Sequence, residues 1–307
     1  MEKRALNRRH FLQTLAATTA LAIPCRLAAA PSALHTRQIP KTGEAIPVIG
    51  MGSWITMNVG NNAALRADRL KVVQAFFDQG GRMIDSSPMY GSSEEVIGWC
   101  MARVTDPTPL FATTKVWTPT QWIGVRQMED SFRLWGVDRF DLMQVHNLLD
   151  WEAHLETLLE WKAAGRVRHI GITTSHGRRH DELMEIMASQ PIDFVQFTYN
   201  LLDRDAEQRL LPLAAERDIA VIINRPFQRG GLFDHTDGHP LPGWAAEFDA
   251  TTWAQFFLKF VVSHPAVTCA IPATSRVDHL LENMDAGRGR LPDEEMRQRM
   301  IRHIESL

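Results

Sequence analysis

The sequence predicts a single-domain α/β protein, a (β/α)8 (TIM) barrel over residues 31–307, preceded by a signal peptide over residues 1–30. Three observations lead to this prediction. Short apolar segments alternate with helical patterns, which is typical of a parallel sheet. Eight such units fit into about 250 residues, the usual size of this barrel. The third observation is a basic and then apolar segment at the N-terminus.

The first 30 residues have the three-part plan of a secretory signal peptide. Basic residues come first, a mildly apolar run follows over Phe11–Ile23, and Ala28–Ala30 end the segment. Within it, Asn7–Leu12 (NRRHFL) resembles the twin-arginine export motif. The apolar run is shorter than the about 20 residues that span a bilayer, so we expect no stable membrane insertion. The sequence thus predicts a periplasmic protein, or a cytoplasmic one if the signal is not used.

The composition and charge of the chain argue against several classes of protein. Hydrophobic residues make up 45% and charged residues 22%, as in ordinary globular proteins. The formal charge is −3, which argues against a nucleic-acid binder. That value averages a basic N-terminal segment and an acidic remainder, since residues 31–307 hold 28 basic and 35 acidic side chains. The three cysteines form no CxxC pair, so neither a disulfide scaffold nor a cysteine zinc site is expected.

Eight short apolar segments are predicted as buried strands. An open, doubly wound sheet is the alternative arrangement of such strands, but its dinucleotide fingerprint is missing because Gly50-Met51-Gly52 lacks the third glycine. In chain order, the predicted strands are Val48–Trp54, Met83–Ile84, Leu110–Thr114, Phe140–Val145, His169–Thr173, Phe194–Phe197, Ala220–Ile223 and Ala266–Ile271.

The segments between the strands show helical periodicity. Glycines end two of these helices, at Gly80-Gly81 and at Gly165. The longest stretch without a pattern is 226–248, and loops of that length are usually functional or mobile. Apolar residues mark the helix faces at Leu70, Val73 and Phe77, at Trp151, Leu155, Leu158 and Leu159, at Leu183, Ile186 and Met187, and along Ala254–Val262.

Four polar residues follow three successive strands: Asp85 and Tyr90 after the second, Lys115 after the third and His146 after the fourth. Chemistry in such barrels sits at the carboxyl ends of the strands. Together these groups can protonate a carbonyl oxygen during its reduction. Tyr90 is the predicted acid, and a nearby Lys115 lowers the pKa of its phenol from about 10. Asp85 is the predicted partner of the lysine, and His146 orients the carbonyl or relays a proton.

These four residues, with the spacing Asp-x4-Tyr-Gly, resemble the aldo-keto reductases. The resemblance runs from about Arg37 to Ala286 and begins with RQIPKTGEAIPVIGMGSW, which is similar to the hairpin that closes the bottom of the family's barrel. It implies an NAD(P)H-dependent oxidoreductase that reduces aldehydes or ketones. Its implied partner is a small carbonyl compound, and it leaves the oligomeric state open.

The resemblance also implies cofactor positions. Gln196 is where the family holds the nicotinamide amide, and Arg276 could hold a 2′-phosphate, which favours NADP with NAD as the alternative. Two positions depart from the family: Thr174 replaces an amide, and Asn224 or Arg225 replaces a stacking aromatic residue. The cofactor candidates are Thr173, Thr174, Gln196, Asn224, Arg225, Thr274, Arg276, Glu282 and Asn283.

An apolar substrate pocket is predicted, with Trp54, Met89, Trp117 and Trp244 as its walls and no evident charged clamp. Two histidine pairs at spacing four, His176/His180 and His235/His239, lack a third ligand, so no metal site is expected. The export signal suggests an alternative function, because a periplasm should lack reduced nicotinamide. The alternative is an exported cofactor-binding or redox-responsive barrel with little turnover.

Overall fold

Eight parallel strands form the central sheet of the protein. The structure, a computed structural model, describes residues 32–307, and the predicted signal peptide lies outside the described residues. Neighbours in the sheet follow chain order. The ten strands, the first two being a separate pair, are β1 (Thr36–Gln38), β2 (Ala45–Pro47), β3 (Met51–Gly52), β4 (Met83–Asp85), β5 (Phe111–Val116), β6 (Phe140–Val145), β7 (Val167–Thr173), β8 (Phe194–Thr198), β9 (Ala220–Asn224) and β10 (Cys269–Ala270).

The sheet closes on itself where β10 meets the segment around β3. The Gly50 N–H donates to the Ala270 carbonyl at 2.8 Å, and the Ala270 N–H donates to Val48 at 2.9 Å. The two strands are shorter than predicted because the ladder at this seam continues only as isolated parallel bridges. A Cβ on Gly52 would lie 2.7 Å from the Ile271 carbonyl oxygen, so glycine permits the close approach. The predicted barrel is confirmed.

Helices alternate with the barrel strands, as the sequence predicts. Gly80 and Gly165 follow the first and fourth helices with φ of +84° and +74°, the left-handed conformation that ends helices. The helices are α1 (Ala63–Asp78), α2 (Ser93–Met101), α3 (Gln121–Trp135), α4 (Trp151–Ala163), α5 (His180–Ser189), α6 (Leu210–Glu216), α7 (Gly231–His235), α8 (Trp253–Ser263), α9 (Val277–Asp285) and α10 (Glu294–Glu305).

The antiparallel pair β1–β2 forms the hairpin that the resemblance implies. Ile39 and Ile46 from this hairpin are fully buried in one cluster with residues at the amino ends of the strands, such as Met83 and Phe111. Apolar burial of this kind stabilises the fold by about 25 cal/mol per Å². The hairpin therefore closes the amino end of the barrel and leaves the carboxyl end open.

The segment 226–248 is more ordered than the sequence indicates, since it contains α7 and two short 3-10 helices, Gln228–Gly230 and Gly243–Phe248. Trp244 lies in the second of them and packs against Phe256 of α8 and His303 of α10, with ring centroids 5.6 Å apart in both pairs. Across residues 32–307, no helix is long and apolar enough to cross a membrane.

Candidate active site

A cavity of about 550 Å³ opens at the carboxyl ends of the barrel strands. Residues from the segments after β3, β4, β6, β7, β9 and β10, together with Gln196 of β8, line it, as expected for this fold. Its wall includes ten of the residues that the sequence singles out: Trp54, Asp85, Met89, Tyr90, His146, Thr173, Thr174, Gln196, Asn224 and Arg225.

A buried ion pair lies beneath this cavity. Lys115, the penultimate residue of β5, donates from Nζ to Oδ2 of Asp85 at 2.5 Å and to the Ser86 carbonyl at 2.8 Å. Lys115 is fully buried and Asp85 is nearly so. Burial is the largest single influence and opposes the charge on Lys115, but Asp85 and Tyr90 together outweigh it and raise the pKa of the ammonium. Lys115 therefore stays charged at neutral pH, as the sequence predicts.

The other oxygen of Asp85 is held by side chains from the neighbouring strand β5 and from β8 across the barrel. Its Oδ1 accepts hydrogen bonds from Nε2 of Gln196 at 3.1 Å and from Oγ1 of Thr113 at 3.2 Å. A buried carboxylate with several donors is fixed in position, because each lost bond would leave a polar atom without a partner. Gln196 thus supports the ion pair in addition to facing the cavity.

Tyr90 lines the cavity next to this ion pair. The Lys115 Nζ lies 5.3 Å from the centroid of its ring, and the residue is half-buried. Burial raises the pKa of the phenol, the Lys115 charge opposes that rise, and Asp85 adds to it. Lys115 acts in the predicted direction, but burial outweighs it, so the net pKa of the phenol is raised rather than lowered. The phenol is consequently held in the protonated form that a proton donor needs.

His146 lies beside Tyr90, with ring centroids 5.7 Å apart in an edge-to-face arrangement. Burial and the charge of Lys115 hold the pKa of its imidazole well below its usual range, so the ring is neutral. Its Nδ1 is 2.8 Å from Oγ of Ser87, and that oxygen also accepts a bond from the Met89 N–H at 3.3 Å. Because the Ser87 oxygen already accepts from the Met89 N–H, we assign the Ser87 hydroxyl as a donor to Nδ1 of His146. This assignment places the imidazole proton on Nε2.

Asn224, which replaces the expected stacking aromatic residue at the end of β9, forms hydrogen bonds through its side-chain amide. Asn224 accepts from Thr198 Oγ1 at 2.8 Å and donates to the Thr174 carbonyl at 2.9 Å, so it ties β9 to β8 and to the end of β7. Three hydroxyls in the cavity wall, on Ser53, Thr56 and Thr174, are buried without a hydrogen-bond partner among residues 32–307. Such unsatisfied groups fit a polar ligand such as a nicotinamide cofactor.

The residues that the resemblance assigns to the adenosine phosphate lie outside the cavity wall. Thr274 accepts from the Arg276 N–H at 3.1 Å, which shapes the turn before α9. Arg276 is exposed and forms an ion pair with Asp278. Glu282 and Asn283 lie on α9, and Asn283 is buried. Thr274 and Arg276 precede α9, whereas Glu282 and Asn283 lie in its second half.

Two of the predicted pocket walls are wrong in position. Trp244 packs on the outer helices, as described above, because the segment that carries it folds away from the cavity. The Trp117 backbone N–H donates to Oε1 of Gln127 at 2.6 Å, and Nε2 of Gln127 donates to the Trp117 carbonyl at 3.0 Å. Trp117 does not line the cavity. Trp244 therefore belongs to the outer packing, and the Trp117 side chain is partly exposed outside the cavity.

Residues that sequence reasoning missed also line or support the cavity. Ser87 lies two positions after Asp85, and a hydroxyl so close to a predicted catalytic carboxylate was the available signal. Arg229 and His176 line the wall, and the Arg229 guanidinium lies 4.4 Å from the Trp54 ring centroid. With Arg225 also in the wall, the prediction of a pocket without a charged clamp is wrong. Across residues 32–307, no group of three or more His, Cys, Asp or Glu could hold a metal ion.

Comparison with known proteins yields consistent matches. Residues 48–301 match the model of the Aldo/keto reductase family. The chain is 27% identical to Aldo-keto reductase YhdN of Bacillus subtilis over 63% of its length, and this match spans 62% of that relative. It is 24% identical to an NADH-specific methylglyoxal reductase of Escherichia coli, over 64% of this chain and 68% of that one. An aldo-keto reductase of Klebsiella pneumoniae, solved with NADPH, is 25% identical with a TM-score of 0.71, covering 90% and 95%.

Proposed function

The chain belongs to the aldo/keto reductase family, and we propose that it is an NAD(P)H-dependent oxidoreductase that reduces an aldehyde or ketone to an alcohol. The observation that carries the proposal is the arrangement of Tyr90 over the buried Lys115–Asp85 pair, at the edge of a cavity large enough for a small organic molecule. The substrate is a small carbonyl compound whose carbonyl oxygen lies against Tyr90 and His146.

Each polar residue has a role in moving one proton. When bound, the reduced nicotinamide supplies the hydride that reaches the carbonyl carbon. Tyr90 donates its phenolic proton to the carbonyl oxygen, which gives the alcohol and leaves a phenolate. The fixed charge of Lys115 stabilises that phenolate, because a nearby ammonium favours the charged form. Water then returns a proton to Tyr90, and the site is restored.

His146 orients the substrate without changing its own charge. A neutral imidazole with the proton on Nε2 donates a hydrogen bond to the carbonyl oxygen and leaves the acid role to Tyr90. Asp85 keeps Lys115 charged and in place. This division of roles follows from the low pKa of His146 and the raised pKa values of Lys115 and Tyr90.

The cofactor contacts divide into two groups. Thr173, Thr174, Gln196 and Asn224 would hold the nicotinamide end, and the buried Ser53 and Thr174 hydroxyls supply unused hydrogen-bonding capacity there. Thr274, Arg276, Glu282 and Asn283 would hold the adenosine phosphate, with NADP as the proposed cofactor and NAD as the alternative. Arg276 must exchange its exposed partner Asp278 for the phosphate, which costs little because exposed ion pairs are weak.

Fluorescence titration with NADPH and with NADH, followed by cofactor oxidation with a panel of aldehydes and ketones, tests this proposal. We expect saturable binding, tighter for NADPH, and repeated turnover with at least one carbonyl compound. Tight binding without a second turnover would support the low-turnover, redox-responsive alternative, which the family match does not favour. An Arg276→Gln variant should weaken NADPH binding and leave NADH binding unchanged.

We further propose that the signal peptide directs the folded protein to the periplasm through the twin-arginine route. Support comes from NRRHFL at Asn7–Leu12 and the modestly apolar run after it. The proposal predicts that replacing Arg8 and Arg9 by Lys keeps the protein in the cytoplasm in a cell-fractionation experiment. Equal cytoplasmic location of the unchanged chain would instead identify a cytoplasmic enzyme with an unused signal.

A further inference from the structure

The cavity carries more positive charge than the proton-transfer residues require. Arg225 and Arg229 line it, whereas the single carboxylate among its described lining residues is Asp85. His176 also lines it but adds no charge at neutral pH, because burial and the neighbouring arginines lower the pKa of its imidazole. Asp85 is already paired with Lys115 at 2.5 Å. No carboxylate in the wall is therefore left to balance the two guanidinium groups.

Arg225 lacks the carboxylate partner that several buried and partly buried arginines of residues 32–307 have. Arg66 and Arg168, for example, are each paired with a carboxylate, Arg66 with Glu95 at 2.6 Å and Arg168 with Asp141 at 2.7 Å. The Arg225 guanidinium has neither a salt bridge nor a hydrogen-bond acceptor within residues 32–307, although the residue is half-buried. A guanidinium that loses water without gaining an acceptor is costly, and an incoming anion removes that cost.

The backbone holds Arg225 in a fixed position. Its φ is +50°, in the left-handed region that residues other than glycine seldom adopt. Its carbonyl accepts hydrogen bonds from Asn200 Nδ2 at 3.0 Å and from the Gln228 N–H at 2.9 Å. Backbone held in such a conformation is concentrated at functional sites, where surrounding contacts maintain it.

The location of Arg225 relative to the reacting groups indicates its ligand. It lines the same cavity as Tyr90, and each residue shifts the pKa of the other through charge. Burial and then the charge of Arg229 lower the pKa of Arg225 to about 10, and the more distant Asp203 carboxylate, which forms no salt bridge with it, opposes this only in part. The residues proposed above for the adenosine phosphate, Thr274, Arg276, Glu282 and Asn283, do not line this cavity.

We infer that Arg225 binds an anionic group of the substrate, so that the enzyme selects carbonyl compounds that also carry a carboxylate. This inference rests on the proposed function of the site. It replaces the expectation that Arg225 contacts the nicotinamide. Arg229, stacked on Trp54 at the cavity mouth, adds a second positive charge that attracts such anions. The cofactor also carries anionic oxygens, so the experiment must separate substrate carboxylate from cofactor phosphate.

The test compares 2-carboxybenzaldehyde with benzaldehyde, and 4-oxobutanoate with butanal, in the unchanged enzyme and in Arg225→Gln. We expect the unchanged enzyme to favour each anionic aldehyde by about tenfold or more in kcat/KM, as for a charge-assisted hydrogen bond. Arg225→Gln should remove this preference and leave the neutral aldehydes within about threefold. Arg225→Lys should restore part of it, and added salt should weaken it. Arg126→Gln, at an exposed arginine that stacks on Trp122 outside the cavity, is the matched control and should match the unchanged enzyme.

Two further measurements distinguish a substrate carboxylate from a cofactor phosphate as the anion that Arg225 binds. The dissociation constant of NADPH, measured by fluorescence, should be the same for Arg225→Gln and the unchanged chain. A rise of tenfold, with equal losses for neutral and anionic aldehydes, would overturn the inference and assign Arg225 to a cofactor phosphate. Binding of benzoate, measured by calorimetry, should weaken in Arg225→Gln but not in Arg126→Gln. This reading tests the inference even if no carbonyl compound turns over, an outcome that would count against the proposed function alone.

Discussion

The Oγ of Ser87 lies 2.8 Å from Nδ1 of His146, and both residues are buried beside Tyr90. Ser87 is held in turn by the Met89 N–H, so the segment that carries the acid also fixes the imidazole. A neutral imidazole has one donor and one acceptor nitrogen, and this contact selects which is which. The hydroxyl therefore connects the orientation of the substrate to the loop after β4.

Removing that hydroxyl should reduce catalysis without removing a catalytic group. In Ser87→Ala we expect kcat for carbonyl reduction to fall by up to about tenfold, since one hydrogen bond is worth about 0.5–1.5 kcal/mol. Ser93→Ala is the matched control, because Ser93 is an equally buried serine that pairs with Ser86 and does not touch His146. Steady-state kinetics of the two variants make the comparison. Equal kcat in both would show that the contact is structural only.

The pH profile of reduction should be flat across neutral pH. Tyr90 is active when protonated, so activity is lost only as pH rises through its pKa, which burial raises above about 10. His146 is active when neutral, so activity is lost only as pH falls through its pKa, held well below about 6.5. We expect kcat/KM to be constant from about pH 6.5 to 9. An acidic limb near pH 6.5 that disappears in His146→Gln would contradict this assignment.

The same imidazole affects stability in acid. Because the pKa of His146 is lower in the folded protein than in the unfolded chain, the unfolded chain binds more protons below about pH 6.5. The stabilisation is complete above that pH and is lost as pH falls below it. His146→Gln should therefore show a smaller loss of unfolding free energy between about pH 6.5 and 5 than the unchanged protein. Denaturant titrations at the two pH values measure it, and equal losses would refute the prediction.

Breaking the buried ion pair should destabilise the barrel as well as the site. Lys115→Met leaves the Asp85 carboxylate buried without its counter-charge, and such a loss costs about 3–5 kcal/mol in the free energy of unfolding. Lys71→Met removes the exposed partner of Asp68 on α1 and should have little effect. Denaturant titration of both variants provides the measurement. Similar small changes in the two would mean that the pair contributes little to folding.

The seam of the barrel should be sensitive to a single methyl group. A Cβ at Gly52 meets the Ile271 carbonyl oxygen at 2.7 Å, so Gly52→Ala must displace backbone and should cost about 1–3 kcal/mol. A Cβ at Gly243 meets nothing within 4 Å, and Gly243→Ala is the control. Thermal melts compare them. If Gly52→Ala melts at the same temperature as Gly243→Ala, the two strands are not held as closely as described.

Residues on regular strands were predictable from the sequence because burial and direction follow from a repeated pattern. Asp85, Lys115 and Gln196 come at the ends of strands, and parallel strands bring their carboxyl ends to one edge. Chain order also correctly predicts which strands are neighbours in the barrel. The same pattern also located the helices and the glycines that end them.

Residues on loops were less predictable because the path of a loop depends on tertiary contacts. Trp244 and Trp117 are residue types common in pocket walls, yet neither lines the cavity. Trp244 packs against α10, and Trp117 is hydrogen-bonded to α3. Arg225 follows a strand at a left-handed φ, a conformation that the sequence does not reveal. The net pKa of Tyr90 depended on its burial, which no spacing of residues specifies.

The central claim, that Tyr90 donates the proton during carbonyl reduction, is tested most directly by the turnover of Tyr90→Phe. Cofactor oxidation is followed with a carbonyl compound that the unchanged enzyme reduces, and NADPH binding is measured on the same samples. We predict that kcat falls by at least about 100-fold, the usual contribution of a general acid, while the dissociation constant of NADPH is unchanged. Turnover by Tyr90→Phe at the rate of the unchanged enzyme would contradict the mechanism.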